Sequence, residues 1–97
     1  MNTDSAKKRQ KAVALRYDRS RGGAPQVTAT GKGHLAEKII ELARASGVPV
    51  REDAALAEVL SHLKLGDEIP PETYVLVAQI LAWVYRMNGR AAKKDPR

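Results

Sequence analysis

From Ala12 onward, polar and apolar positions alternate or recur at helical spacing, and the change of period marks out the elements. Ala12-Val-Ala-Leu-Arg-Tyr-Asp18 alternates, which predicts a short strand with Val13, Leu15 and Tyr17 on one face. Arg19 to Pro25 (RSRGGAP) is a turn, because paired glycines permit positive φ and Pro25 fixes its own. Gln26 to Thr30 (QVTAT) reads as a second strand. Apolar residues at 35, 39, 42 and 43 then predict a helix from Gly31 to Ser46, with Thr30 as its N-cap and Gly47 as its stop.

Val48-Pro49-Val50 is long enough only for a strand or an extended link. Asp53 is placed to cap a helix that turns Leu56, Val59, Leu60 and Leu63 inward. Leu65 to Pro70 (LGDEIP) is a loop, and Pro71 opens the longest helix, expected to run to about Met87 and to stop at Asn88-Gly89. That helix is apolar nearly all round. Tyr74, Val77, Ala78, Leu81, Val84 and Tyr85 form one stripe, assigned to the core. Leu76, Ile80, Trp83 and Met87 form a second, which either packs under neighbouring helices or meets a partner.

The pattern makes one domain of a 97-residue chain. It predicts a small α/β sandwich, a short sheet flanked by three helices, over residues 11–89, between a disordered basic arm (1–10) and a disordered basic tail (90–97). Charge supports this division. Residues 1–22 hold seven basic and two acidic side chains and residues 86–97 hold five and one, whereas residues 23–85 hold five and eight. A folded nucleic-acid reader carries its positive charge on the fold, commonly beside stacking aromatics. Here the body is acidic and aromatic residues are 4% of the chain, so a nucleic-acid role would fall to the two tails.

No apolar run is long enough to span a bilayer, and the charged start MNTDSAKKRQK leads into no signal-like stretch, so a cytoplasmic location is expected. The chain has no cysteine and its two histidines, His34 and His62, fall on different predicted helices; no metal or cofactor is expected. Both histidines read as surface or half-buried residues. Gly31-Lys32-Gly33-His34-Leu35-Ala36 fits a dinucleotide fingerprint placed between a strand and a helix, with Glu52 at a suitable distance. Against it, the preceding strand alternates where a central parallel strand would be apolar on both faces, so a glycine-rich start to the helix is the plainer reading. No nucleophile, base and orienting acid come together in local spacing, and an enzyme is not expected.

Read as one string, AVALRYD, GAPQVTATGKG, GVPV, ALAEVL, LGDEIPPETY and VAQILAWVY resemble the C-terminal cytoplasmic domain of the FlhB/YscU/SpaS family of export-apparatus switch proteins, from about Ala12 to Met87. The resemblance implies a non-enzymatic protein-binding module of flagellar or type III protein export, whose partners are export-apparatus proteins and export substrates or their chaperones. It also implies a possible partner in the membrane-anchored part of a full-length homologue. Family members carry a membrane domain and an Asn-Pro-Thr-His motif at which they cut their own chain. Here Lys7-Lys8-Arg9-Gln10 stands in that place, and no asparagine is available there to cyclise. Glu58 stands where the family often has arginine. The family's shallow apolar docking patch falls on Ala24, Pro25, Ala78 and Leu81, and Trp83 is the further residue expected at a partner surface. Ala78 and Leu81 also belong to the stripe assigned to the core, so those two readings conflict.

Overall fold

The computed structural model describes residues 10–18, 20 and 22–93. Two strands, β1 (Lys11–Arg16) and β2 (Gln26–Lys32), pair antiparallel, with Ala12 opposite Gly31, Val13 opposite Thr30 and Ala14 opposite Ala29. The register slips between Ala14 and Leu15, leaving Thr28 as the extra residue of a bulge; its hydroxyl donates to the Ala14 carbonyl at 3.3 Å. Three helices follow: α1 (His34–Ala45), α2 (Ala54–Leu60) and α3 (Tyr74–Lys93), the last entered through a single 3-10 turn, Pro71–Thr73.

Alternation assigns each face of the hairpin to a different helical layer. The face made by Ala12, Ala14, Ala29 and Gly31 carries only small side chains, so α1 comes close enough to bury Ala36 completely. The opposite face carries Val13 and Leu15, which pack on a core of Leu56 and Leu60 from α2, Ile69 from the following loop and Val77 from α3. Lys11, on this second face, reaches Glu58 of α2 at 2.5 Å.

Several elements start or stop elsewhere than the pattern predicts. Tyr17 lies beyond the end of β1. β2 continues to Lys32 because the Gly33 N–H still donates to the Gln10 carbonyl (2.8 Å), so α1 cannot begin until Gly33 turns the chain at φ 65°. Gly33, and not Thr30, therefore occupies the cap position, and no side chain caps this helix. At its other end Gly47 (φ 76°) ends α1 as expected: its N–H donates to the Arg44 carbonyl and the Val48 N–H to the Ala43 carbonyl. Val48-Pro49-Val50 forms no strand.

Asp53 caps α2 as expected, accepting the Leu56 N–H at 3.0 Å. With only seven residues, α2 buries one short stripe, Leu56 and Leu60, and Val59 is left outside it. Leu35 and Leu42 are likewise exposed, because two strands present too little surface to cover the whole apolar stripe of α1. Asn88-Gly89 does not stop α3, which runs through both to Lys93, so the first residues of the expected tail are helical. Residues 1–9 of the N-terminal arm, Lys7, Lys8 and Arg9 among them, and residues 94–97 lie outside the described residues, whereas Gln10, expected in the arm, bonds to the hairpin.

Candidate functional site

Backbone hydrogen bonds bring the loop before α3 against the turn that leads into β2. Gly66 donates to the Val27 carbonyl (2.8 Å), Val27 to the Asp67 carbonyl (2.9 Å) and Ile69 to the Pro25 carbonyl (3.0 Å). The loop thus closes the outer edge of β2, with Glu68 bridging to Gln26. Its own turn is tied by the Lys64 N–H donating to the Asp67 carboxylate at 2.9 Å. Pro70 and Pro71 then direct the chain into α3, while the buried Thr73 hydroxyl is satisfied by the Pro70 carbonyl at 2.7 Å.

Between the Gly23-Ala24-Pro25 turn, this loop and the first turns of α3 lies a groove of about 330 Å³. Pro25, Ile69 and Val77 are its buried members, Ala24, Ala78 and Leu81 are small or half-covered, and Tyr17, Tyr74 and Glu68 complete the lining. Gly23 adopts φ 78°, and a Cβ there would stand 3.3 Å from Glu68 Oε2, so both the turn and the carboxylate beside it depend on this glycine. The lining offers apolar surface, two phenols and one carboxylate. Among the described residues it contains no histidine, serine, cysteine or lysine, and no nucleophile–base pair.

Ala24, Pro25, Ala78 and Leu81, far apart in sequence, are brought together here. The conflict over the last helix resolves in favour of a face between the two stripes. Val77 is 2% exposed, and Ile80 and Leu81 pack on the core from either side of it, whereas Tyr74 and Ala78 turn toward the groove. Trp83 does not join this lining; it is half-buried, with the Arg51 guanidinium 5.7 Å from its ring. Gly23, Glu68 and Ile69 are groove residues that sequence periodicity does not reveal, since each sits in a turn or a loop, whereas Tyr74 shares the predicted stripe of Ala78 and Leu81.

The remaining candidates are dispersed. Gln10 is a strand neighbour whose carbonyl serves the hairpin. His34 and His62 are exposed, 3.5 Å and 3.2 Å from Glu37 and Glu58 respectively. Glu58 is held below the usual glutamate range, first by the hydrogen bond from Lys11 and by that ammonium's charge, with His62 adding a smaller effect. Gly31 packs under Leu35, so the glycines of the fingerprint-like segment have structural duties. Among the described residues, no group of three His, Cys, Asp or Glu side chains is placed to hold a metal ion, and no helix is long and apolar enough to cross a membrane.

Residues 9–84 match the model of the FlhB HrpN YscU SpaS family. The chain is 45% identical over 85 residues to YlqH of Bacillus subtilis (strain 168), covering 88% of this chain and 91% of that protein. It is 40% identical over 78 residues to the flagellar biosynthetic protein FlhB of Escherichia coli (strain K12), covering 79% of this chain and 20% of the relative, so it spans about a fifth of that protein's length. Among solved structures, the crystal structure of the PscU C-terminal domain superposes with a TM-score of 0.72 at 28% identity, over 77% of this chain and 96% of that one.

Proposed function

The chain belongs to the FlhB HrpN YscU SpaS family, as a domain like the C-terminal domains of the export switch proteins, and on that premise we propose that it is a protein-docking module of flagellar or type III export. In this reading it works in the cytoplasm, at the export apparatus, and its groove receives segments of export substrates or their chaperones. What carries the reading is the convergence of Ala24, Pro25, Ala78 and Leu81 on one groove floored by Ile69 and Val77. Small walls over a buried apolar floor accept a partner's side chain without rearrangement, which keeps the ordering cost of docking low. Among the described residues the lining holds a carboxylate and two phenols but no nucleophile–base pair, and Lys7-Lys8-Arg9-Gln10 contains no asparagine for self-cleavage; in this reading the module acts by binding.

Docking is tested by calorimetric titration of the chain with a purified flagellar export substrate. Saturable binding that persists when residues 1–9 and 94–97 are removed supports it. Binding that disappears with those basic ends, and that reappears toward nucleic acid at low salt, supports a nucleic-acid-associated protein instead.

A second contact is favoured by the sheet. Gln10 bonds toward β2, so by antiparallel alternation Ala12 and Ala14 do the same and Lys11, Val13 and Leu15 present their backbone groups outward. Among the described residues no strand pairs with that edge. In the proposed assembly the edge takes a strand from the membrane-anchored part of a full-length homologue.

A further inference from the structure

We propose that the groove selects segments in which an apolar side chain is accompanied, within two or three residues, by a lysine or arginine whose cation is received by Glu68. This rests on the docking reading above and adds a chemical specificity to it.

Among the described residues, Glu68 is the one charged side chain in an otherwise apolar and phenolic lining. Other acids of this fold have work within it: Asp53 caps α2, Asp67 ties its own turn, and Glu58 holds Lys11. The Glu68 carboxylate makes no ion pair or hydrogen bond among the described residues, although the backbone on both sides of it is fixed by the Val27–Asp67 and Ile69–Pro25 hydrogen bonds. Among the described residues it is an exposed acceptor without a partner, on a backbone fixed at both sides. Gly23 keeps the space beside it open, since a side chain there would meet Oε2.

The tyrosines complete the case. The rings of Tyr17 and Tyr74 line the same groove, and a cation placed near Glu68 also gains from an aromatic face. At about 330 Å³ the groove is at the small end of the ~300–1,000 Å³ range of ligand sites. It therefore suits one apolar side chain and its neighbour better than a longer buried segment.

The test uses two peptides, Gly-Ser-Leu-Leu-Arg-Ser-Gly and the same peptide with glutamine in place of arginine, titrated to millimolar concentration into the isotopically labelled full chain. Amide shifts are followed by nuclear magnetic resonance. The expected result is shifts at Glu68 and Ala78 with both peptides, and an affinity about threefold or more higher for the arginine peptide, a difference that shrinks with added salt. Glu68→Gln should abolish the difference between the two peptides, and Glu68→Lys should reverse the preference toward a peptide carrying glutamate. Equal affinities for wild-type protein, with groove shifts present, overturn the cation preference and leave docking standing. The absence of groove shifts with either peptide overturns both.

Discussion

Leu35 lies directly over Gly31: a Cβ added to that glycine would stand 2.5 Å from Leu35 Cγ and 3.0 Å from its Cβ. The contact accounts for Gly31 without any phosphate. A strand residue with no side chain is what lets the first turn of α1 settle on the small face of the hairpin. Gly31→Ala is accordingly expected to destabilise the domain by about 1–3 kcal/mol, through overpacking. Adding Leu35→Ala should recover part of that loss, which chemical denaturation of the single and double variants measures. Additive losses would show that the two residues are not in contact.

The burial pattern separates the leucines sharply. Leu60 is 3% exposed and its truncation to alanine should cost about 2–5 kcal/mol, whereas Leu42, 61% exposed, should lose under about 0.5 kcal/mol on the same change. Denaturation midpoints of Leu60→Ala and Leu42→Ala check this directly.

Glu58 supplies the pH dependence. Its carboxyl is held below the ordinary glutamate value in the folded chain, chiefly by the hydrogen bond and charge of Lys11. A depressed carboxylate contributes stability above its unfolded pKa and loses it as the pH falls through the folded one. The domain should therefore soften slightly on acidification below the usual glutamate range. Glu58→Gln should remove that increment, and high salt should weaken it, because the pair is solvated. Thermal melts of both proteins across that pH range, at low and high salt, decide it; identical profiles would remove Glu58 from the account.

Trp83 belongs to a different neighbourhood from the groove. Its contact with Arg51 joins α3 to the extended segment before α2, and is worth about 0.5–1 kcal/mol at a partly exposed site. Arg51→Ala should cost no more than that, alter the tryptophan fluorescence, and leave binding at the groove unchanged.

Most of the element order was legible in the sequence because the turns and stops rest on residue-specific chemistry: Gly47 at positive φ, Asp53 as a side-chain cap, Pro71 at a first helical turn. The errors fall where tertiary geometry overrules local pattern. Gly33 opens α1 because the hairpin still holds its N–H, and Val59, Leu35 and Leu42 are exposed because neither the sheet nor a seven-residue helix has enough surface to cover them. The site was half legible. Family resemblance pointed to Ala24, Pro25, Ala78 and Leu81, but the buried floor of Ile69 and the Glu68 carboxylate come from a loop folded back along β2, which no local period encodes.

The central claim is that the groove at the start of α3 docks export substrates, and Ala78→Asp tests it most directly because Ala78 is exposed within that groove. The measurement is a calorimetric titration of wild-type and variant with the same flagellar export substrate, alongside their thermal unfolding. The expected result is a variant that folds with a loss under about 1 kcal/mol, as for other surface substitutions, and that no longer binds the substrate. A folded Ala78→Asp that binds as tightly as the wild type would contradict the claim.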